Sequence, residues 1–337
     1  MAILTEARFS EITQSFSEIG PIMVVGDLGI DKYTYGDVKK ISPEAPVPVL
    51  EVSKEWLKLG LAANIGHNFK TLNIESTLFG VIGDDLNASV FENLLEDSDL
   101  NIWGLVRDPE RPTIFKERVT TDTQQICRID YENLKEISKQ TQTHLKKKID
   151  DFADKHNALI LEDYAKGTLT QELLEVLIKE FKAAGKLVCI DPGRNTPPRY
   201  YTGANLLKPN LKEARIMVES LGYRETQLEK ISEILVEELK LEKVVITLGS
   251  EGMALTDTLK GGKMKIIPTA ATEVFDVSGA GDTAISLLTA SLLAGATLEE
   301  AAWIGNCGSG VVVAKKGTAT VDQNELHEFF VKLQQRI

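Results

Sequence analysis

Short apolar strands alternate with amphipathic helices over the second half of the chain, and this pattern constrains the fold more than any other feature. The run at 158–162 is mostly apolar, as in a buried strand, and a helix that begins at Thr168 places its large apolar residues on one face. A strand at 187–190, a helix over 226–239 and a strand at 244–248 continue the alternation. Apolar strands joined by helices form a parallel sheet that is covered on both faces. We therefore predict an α/β fold with a doubly wound parallel sheet flanked by helices.

Two segments interrupt this alternation and predict a second, smaller sheet. The segments 47–56 and 113–130 are rich in β-branched residues with partial alternation, and the second is expected to fold back at 120–123. We interpret them as parts of a β-sheet lid, formed by insertions at about 32–57 and 111–131 within a single domain that comprises the whole chain.

The charge balance excludes several classes of partner. Among the 337 residues, 38 are Lys or Arg and 50 are Asp or Glu, so the formal net charge is −12 at pH 7. Nucleic-acid binding depends on clustered cations, and the only dense basic run, 146–148, is followed by two aspartates. The first 20 residues lack the apolar core of a signal peptide, and no stretch reaches the roughly 20 apolar residues of a membrane span. We expect a cytoplasmic protein that binds neither nucleic acid nor membranes.

The segment 276–282, Asp-Val-Ser-Gly-Ala-Gly-Asp, carries the most specific chemical signal. Gly279 and Gly281 allow a tight turn, and the helix that follows directs its free N–H groups toward any ligand at its start. Free amides and the positive end of a helix dipole form an anion site. Beside such a site, Asp282 has a natural role as the base that takes a proton from an attacking hydroxyl. The alternative is that Asp276 or Asp282 only caps the helix.

The same segment resembles the C-terminal signature of the ribokinase-type (pfkB) carbohydrate kinases. In that family a Gly-Ala-Gly-Asp loop forms the anion hole and its aspartate is the catalytic base. The resemblance assigns these catalytic roles to Gly279, Ala280, Gly281 and Asp282. Four other segments are similar to family motifs in the same order along the chain, at 27–31, 60–64, 210–213 and 247–252. The resemblance implies a ribokinase-like fold, a kinase reaction, and ATP and Mg²⁺ as cofactors.

The matching motifs assign residues to the sugar and to the nucleotide. The resemblance implies that sugar hydroxyls are held by Asp27, Asp31, Gly60 and Asn64. It also implies that the nucleotide is bound by Asn210, Glu213, Thr247, Gly249, Gly252 and Asn306. Glu213 would interact with Mg²⁺ through water. Three simpler interpretations stay open: one of the first two aspartates satisfies only loop amides, Asn64 is an ordinary residue at a helix start, and the Asn210–Glu213 pair forms an ordinary helix cap.

One branch of the family fits better than the others. Segments at 33–36, 41–49, 163–167, 190–192 and 317–321 are similar to the branch that acts on D-glycero-D-manno-heptose 7-phosphate. That resemblance implies ATP-dependent phosphorylation of the anomeric O1 to the 1,7-bisphosphate, on the route to the ADP-heptose of lipopolysaccharide. In many bacteria this kinase is fused to a C-terminal nucleotidyltransferase. Because the chain ends soon after its kinase motifs, we expect the stand-alone form.

A substrate that carries a phosphate needs a local basic pocket on this acidic protein. Candidate cations on the predicted lid and in the heptose-branch segment are Lys116, Arg118, Arg128 and Lys166. The resemblance favours Lys166 and also assigns Asp163, from the same segment, to the substrate. Lid strands with an open edge invite pairing with another chain, and similar kinases often dimerise through their lids. We therefore expect a homodimer.

Two positions depart from the family pattern. A glycine pair is usual where this chain has Gly60 followed by Leu61, and Gly193 stands where a lysine is common in the heptose branch. A bulky Leu61 could alter lid closure or substrate choice. Two other functions therefore stay open: a kinase of the same family for another sugar or sugar phosphate, and a protein that binds sugar and nucleotide without turnover.

Overall fold

The computed structural model describes residues 4–315 and 317–335. In this part of the chain the strands are β1 (Ile22–Gly26), β2 (Leu28–Ile41), β3 (Pro48–Leu61), β4 (Ser76–Gly83), β5 (Gly104–Asp108), β6 (Ile114–Thr120), β7 (Gln125–Tyr131), β8 (Ala158–Glu162), β9 (Leu187–Asp191), β10 (Leu206–Leu207), β11 (Lys243–Thr247), β12 (Met253–Asp257) and β13 (Lys265–Ile267). The α-helices are α1 (Glu6–Gln14), α2 (Ala62–Thr71), α3 (Leu86–Asp97), α4 (Lys139–Ala153), α5 (Gln171–Ala183), α6 (Leu211–Ser220), α7 (Leu228–Leu239), α8 (Ala280–Leu293), α9 (Leu298–Val313) and α10 (Gln323–Gln334). None of the described helices combines the length and the apolar character needed to cross a membrane.

Nine strands form the main sheet, in the order β13-β12-β11-β10-β9-β8-β1-β4-β5. The strands from β11 to β5 are parallel, which confirms the predicted α/β fold. At one edge β12 is antiparallel to both β11 and β13, and β12 and β13 form a hairpin, as the glycine-containing turn at 260–263 predicts. Only short turns join β11, β12 and β13, and short turns connect antiparallel strands, whereas parallel strands need a longer crossover.

Both faces of the main sheet are buried, which explains why its strands are apolar throughout. In β1, Ile22 and Val24 pack into a core with α1, α2, α3, α8, α9 and α10. Met23 and Val25 point the other way, into a second core with α4, α5, α6 and α7. Burying one such side chain contributes about 1.5–3 kcal/mol, so the alternating residues of β1 hold both helical layers onto the sheet.

The start of α5 differs from the prediction and matters for the site. The sequence predicted a helix start at Thr168, but α5 begins at Gln171 because the Thr170 side chain accepts the N–H of Leu173 and caps the helix. Thr168 is buried and donates its backbone N–H to Asp27. The residues before α5 therefore belong to a loop that follows β8.

The remaining four strands, β3-β2-β6-β7, form a second sheet that we refer to as the lid sheet. β2 is antiparallel to β3 and parallel to β6, while β6 and β7 form a hairpin. The predicted insertions, 32–57 and 111–131, overlap these strands. Residues opposite one another share a face of a sheet, so one face carries Asp31, Lys58, Lys116, Arg118 and Arg128.

The chain enters α2 through a residue in a strained conformation. Leu61 has φ 57° and ψ −140°, a region that non-glycine residues rarely occupy. Its side chain is buried, and a Cβ placed on Gly29 would lie 3.0 Å from Leu61 Cδ1. A glycine, which the family usually has here, adopts this conformation without strain. The departure at Leu61 therefore costs backbone strain.

We predict that Leu61→Gly is more stable than Leu61→Ala. Both variants remove the buried side chain, but only glycine adopts this sparsely populated positive-φ conformation without strain, which costs other residues about 1–3 kcal/mol. Urea unfolding should give a free energy of unfolding about 1 kcal/mol or more higher for the glycine variant. A more stable alanine variant would show that the backbone is not strained at this position.

Candidate active site

Polar side chains from distant segments meet at the carboxyl ends of the central parallel strands. Asp27 follows β1, Glu162 ends β8, Asp191 ends β9 and Lys208 follows β10. These strands are neighbours in the main sheet, in the order β10-β9-β8-β1. Ligands of open α/β sheets bind at this edge, which makes it the candidate active site.

Asp282, the predicted base, lies in the first turn of α8 with both carboxylate oxygens held. Oδ2 accepts a hydrogen bond from Asn64 Nδ2 at 2.7 Å, and Oδ1 accepts one from the Tyr164 hydroxyl at 2.9 Å. Burial raises the pKa of the Asp282 carboxyl to about 6, against the opposing effect of the Asn64 hydrogen bond. Such a carboxylate is largely ionised at neutral pH and still basic enough to accept a proton.

The start of α8 has the geometry of an anion site. Gly279 is the N-cap residue with φ 84°, and a Cβ there would lie 2.9 Å from Asn64 Nδ2. The N–H groups of Gly281 and Asp282 have no acceptor within residues 4–315 and 317–335. Neither aspartate of the motif caps the helix, since Asp276 instead accepts the N–H groups of Ser278 and Gly317. Two amides at the positive end of α8 are thus available to an anion.

Three carboxylates surround a buried ammonium group beside this anion site. One oxygen each from Glu162, Asp191 and Asp282 lies within 4.8 Å of the others. Lys208 Nζ forms an ion pair with Asp191 Oδ2 at 2.6 Å, and a Cβ on Gly281 would lie 3.5 Å from the same Nζ. Burial lowers the pKa of Lys208, but the charges of Asp191 and Glu162 outweigh it, so the net shift is upward. Lys208 therefore stays charged.

Glu162 offers this cluster an unsatisfied oxygen. Its Oε2 is buried and has no hydrogen-bond partner in the described part of the chain. Burial raises the pKa of Glu162 well above its usual range, and the charges of Asp191 and Asp282 raise it further. Buried polar atoms are normally satisfied, and Mg²⁺ binds carboxylate oxygens. The residues fit a divalent cation held by Glu162 and Asp191.

The predicted metal ligand Glu213 has a different role in this geometry. Its N–H donates to Asn210 Oδ1 at 2.9 Å, while the Asn210 N–H donates to Glu213 Oε2 at 2.8 Å. This is a capping box at the start of α6, the simpler interpretation that the sequence left open. Among the described residues, the carboxylates close enough to share a metal ion do not include Glu213. Glu213 is therefore not placed as a direct ligand, and its predicted contact with Mg²⁺ through water stays a prediction.

A cavity of about 370 Å³ adjoins the start of α8 and contains most of the predicted nucleotide residues. Its lining includes Thr247, Gly249, Gly252, Ala280, Gly281 and Asn306. Apolar walls come from Val274, Val277 and Val313. Such a cavity suits a flat, largely apolar base with its phosphates directed at the amides of α8.

Asn306 shapes this cavity through the backbone. Its Nδ2 donates to the Pro268 carbonyl at 2.7 Å, and its Oδ1 accepts the Ala270 N–H at 3.1 Å. The amide thereby fixes the segment that follows β13 as one wall of the cavity. These two bonds use one N–H and one lone pair of an amide that has two of each, and Asn306 lines the cavity, so its predicted contact with the nucleotide stays a prediction.

Asp31 and Gly60 lie together in the lid sheet. Asp31 Oδ1 accepts a hydrogen bond from Arg118 at 2.6 Å, and Oδ2 accepts one from the Thr318 hydroxyl at 3.2 Å. A Cβ on Gly60 would lie 3.0 Å from the Asp31 carboxyl carbon. Gly60 therefore leaves the space that Asp31 occupies. Asn64, another of the predicted sugar residues, instead donates a hydrogen bond to Asp282.

Asp27, predicted to hold a sugar hydroxyl, organises a loop instead. It is fully buried, and its carboxylate accepts backbone N–H groups of Tyr164, Lys166 and Thr168 at 3.1, 3.0 and 3.2 Å. This is the loop-amide alternative that the sequence left open. Its carboxylate is not exposed to a sugar, and the loop that it holds carries Tyr164 to Asp282.

Asp163, also predicted to bind substrate, forms hydrogen bonds within the protein and leaves no room for a side chain at position 193. Its Oδ2 accepts the Tyr201 and Thr196 hydroxyls at 2.6 and 2.7 Å, and its Oδ1 accepts the Ala165 N–H at 2.6 Å. A Cβ on Gly193 would lie 2.8 Å from Asp163 Oδ1 and 2.7 Å from Thr196 Oγ1. The substrate assignment of Asp163 is not supported, and this packing disfavours any larger residue at 193.

Each of the four candidate phosphate-binding cations lies beside an acidic side chain. The pairs are Lys116–Glu132, Lys166–Glu132, Arg118–Asp31 and Arg128–Asp130. Arg128 is half exposed and binds Asp130 of its own strand, so its position favours a substrate role least. Lys116 and Lys166 are mostly buried and share one carboxylate.

Sequence reasoning missed three residues that touch this site: Tyr164, Glu162 and Lys208. Glu162 ends β8, Lys208 directly follows β10, and Tyr164 lies two positions after β8. Position at the carboxyl end of a strand of the parallel sheet is a signal that could have identified them. Motif matching passed over Glu162 and Lys208 because they lie outside the matched segments, and it included Tyr164 in the segment 163–167 without assigning it a role.

Known proteins resemble this chain over most of its length. The model of the pfkB family carbohydrate kinases matches residues 22–325. The bifunctional protein HldE of Sulfurimonas denitrificans is 39% identical over 318 residues, which cover 93% of this chain and 64% of that protein. The HldE of Desulfatibacillum aliphaticivorans is 41% identical over 305 residues, 90% of this chain and 62% of that protein. The chain thus spans less than two thirds of the length of these relatives.

Solved structures share the fold. Ribokinase from Thermotoga maritima superposes with a TM-score of 0.74 at 20% identity, covering 93% of this chain and 99% of that one. Phosphofructokinase-2 from Escherichia coli superposes with a TM-score of 0.74 at 17% identity, covering 94% and 99%. Together with the family match, this similarity confirms the predicted family. The chain is a carbohydrate kinase of the pfkB family.

Proposed function

We propose that the chain uses ATP to phosphorylate D-glycero-D-manno-heptose 7-phosphate at the anomeric O1, giving the 1,7-bisphosphate on the route to ADP-heptose. The observation that carries the kinase chemistry is the position of the Asp282 carboxylate, in the same helical turn as the free amides of the anion site. A hydroxyl bound at Asp282 would therefore lie next to a phosphoryl group bound at these amides. Phosphoryl transfer depends mainly on such positioning and on charge stabilisation.

In the proposed reaction, Asp282 takes the proton of O1 while O1 attacks the γ-phosphorus. The bond to the bridging oxygen breaks, and ADP leaves. The amides of Gly281 and Asp282 stabilise charge on the transferred group, and Lys208 adds a fixed positive charge close to it. Asn64 and Tyr164 orient the carboxylate through its two oxygens.

The Mg²⁺ ion belongs to the same proposal. Glu162 and Asp191 would hold it, because the unsatisfied Glu162 oxygen lies in the carboxylate cluster beside the anion site. When bound, the ion neutralises negative charge on the phosphates. Glu213 fixes the start of α6 and would reach the ion only through water. Burial and the nearby charge of Asp191 raise the pKa of its carboxyl.

Two observations support a heptose phosphate as the sugar, and a third accounts for one departure from the heptose branch. The segment 163–167 of the heptose branch supplies Tyr164 to the base and Lys166 to a buried cation pair. The relatives above share the printed name HldE and are bifunctional, which agrees with a kinase fused to a second enzyme. Gly193, one of the two departures from the branch pattern, follows from packing against Asp163. Leu61 leaves another sugar or sugar phosphate as the alternative substrate.

The lid sheet would cover the sugar and pair two copies of the chain in the cytoplasm. Its face opposite Asp31 carries Leu57 and Ile129, which are 37% and 41% exposed. Its outer strands, β3 and β7, have open edges. Exposed apolar residues beside open edges favour association with a second copy.

A substrate panel tests the proposed activity. We expect ATP consumption to be fastest with heptose 7-phosphate when it is compared with fructose 6-phosphate, fructose and ribose. Asp282→Asn should lower kcat by about 10²–10⁴-fold because it removes the base, while calorimetry shows nearly unchanged sugar binding. Asp151→Asn, at an exposed position, is the control. Normal kcat in Asp282→Asn would refute the assigned base, and nucleotide binding without any turnover would favour a non-catalytic protein.

The carboxylate cluster of Glu162, Asp191 and Asp282 predicts that the free energy of unfolding depends on Mg²⁺. Lys208→Met leaves buried carboxylates without their positive partner, so we expect a loss of about 3–5 kcal/mol in the free energy of unfolding in EDTA. Mg²⁺ should restore more stability to this variant than to the wild type, because the ion replaces the lost charge. Lys179→Met, at an exposed position, should show neither effect. Equal responses of wild type and Lys208→Met to Mg²⁺ would contradict a metal site at this cluster.

The proposed dimer has its own test. Light scattering at micromolar concentration should give twice the 37.1 kDa mass of one chain, and Leu57→Glu with Ile129→Glu should reduce it to one chain. Leu259→Glu, which changes an exposed residue away from the lid sheet, is the control. A monomeric wild type would exclude the lid dimer.

A further inference from the structure

Two lysines approach each other from different elements, with one carboxylate between them. Lys116 lies on β6 of the lid sheet, Lys166 lies in the loop after β8, and Glu132 directly follows β7. Lys166 Nζ donates to Glu132 Oε1 at 2.7 Å, and Lys116 Nζ lies 3.9 Å from Glu132 Oε2. The three side chains are only 12–16% exposed. We refer to Lys116 and Lys166 as the lysine pair.

The Glu132 carboxylate does not satisfy the lysine pair. Its Oε2 is buried without a hydrogen-bond partner among the residues the structure describes, since 3.9 Å is too long for a hydrogen bond. Within 4 Å of the two ammonium groups the described residues place only the Glu132 carboxylate, although each ammonium group has three donors. Asp130 and Asp31 lie farther away and add a weaker attraction to Lys116. Burial lowers the pKa of Lys116, and the charge of Lys166 lowers it further. A phosphate group, with nearly two negative charges and three acceptor oxygens at neutral pH, matches the pair better.

The lysine pair lies one side chain away from the candidate base. Lys116 Nζ is 5.9 Å from the centre of the Tyr164 ring, and the Tyr164 hydroxyl donates to Asp282. An anion on the pair and a hydroxyl at Asp282 can therefore belong to one small molecule. The separation by a whole tyrosine side chain suits a sugar whose phosphate is remote from the hydroxyl that reacts.

The two lysines and the glutamate differ in how firmly their backbone is held. The Lys166 N–H donates to Asp27, and its carbonyl accepts a hydrogen bond from Arg111 at 2.5 Å. Lys116 is held in the middle of the lid sheet between β2 and β7. Glu132 begins the irregular segment 132–138 between β7 and α4. The backbones of both lysines are therefore held by neighbouring elements, whereas Glu132 lies outside regular secondary structure.

We propose that the lysine pair binds the substrate's own phosphate and that Glu132 occupies the pair until this phosphate displaces it. The inference rests on the proposed function and adds a selection step to it. An unphosphorylated sugar carries no charge to compete with Glu132, so the pair selects sugars that already bear a phosphate. Glu132 meanwhile compensates the two buried cations in the empty enzyme.

Steady-state kinetics test the competition. Glu132→Gln keeps the shape of the side chain but removes its charge, so the KM for the sugar phosphate should fall about threefold or more, whereas Lys116→Met and Lys166→Met should each raise it about tenfold or more. The KM for ATP should not change. Lys135→Met and Glu136→Gln, at exposed positions in the adjoining segment, are the matched controls. An unchanged or higher KM in Glu132→Gln, or an unchanged KM in either lysine variant, would overturn the proposal.

Equilibrium binding of inorganic phosphate separates this inference from the proposed function. Calorimetry on the full chain should show binding several-fold tighter in Glu132→Gln than in the wild type, and Lys166→Met added to Glu132→Gln should abolish the gain. Any phosphate bound at α8 contributes equally to all these variants, so it does not affect the comparison between them. If no sugar phosphate is turned over, the proposed function fails, but the phosphate-binding measurement still tests whether Glu132 competes for the lysine pair. If heptose 7-phosphate is a substrate but Glu132→Gln and the wild type bind phosphate equally, the competition alone is wrong.

Discussion

The ion pair between Lys208 and Asp191 is the interaction on which the arrangement of the site depends. Taking charged groups out of water costs several kcal/mol for each ion, and Glu162, Asp191 and Asp282 all converge where the central strands end. The ammonium group of Lys208 supplies a positive charge among these carboxylates and so offsets their mutual repulsion. Lys208 is placed there because it directly follows β10, which is next to β9. Within the part of the chain that the structure describes, one ammonium group still leaves an oxygen of Glu162 unsatisfied. The cluster is therefore prepared for a further positive charge, which is what a site for phosphates needs.

Asp282 shows how opposing effects produce a usable base. Burial alone would favour the neutral acid, while hydrogen bonds from Asn64 and Tyr164 favour the carboxylate, and the balance raises the pKa to about 6. The two donors come from α2 and from the loop after β8, and Asp27 holds that loop through three backbone amides. The orientation of the base thus depends on a buried aspartate that, among the hydrogen bonds of the described residues, is linked to it only through the loop of Tyr164.

Net charge says little about the potential that a ligand meets. The chain carries a formal charge of −12, yet the face of the lid sheet with Asp31 also presents Lys58, Lys116, Arg118 and Arg128. Acidic neighbours compensate several of these cations in the free protein. A phosphate that enters can exchange with such a neighbour, so a binding site for anions is compatible with an acidic surface.

Residue order by itself determined the fold class, the strand at 158–162, the hairpin of β6 and β7, and the anion loop at Gly279, because these depend on neighbours within a few positions. Motif resemblance likewise identified Asp282 and Asn64, which the structure brings together. It could not tell that Asp27 is consumed by amides 137 to 141 positions away, or that Glu213 closes a helix cap while Glu162 keeps a free oxygen. Carboxylates look alike in a sequence, and their roles depend on which donors reach them. Only the tertiary structure decided this, because those donors belong to strands and loops that become neighbours when the parallel sheet forms.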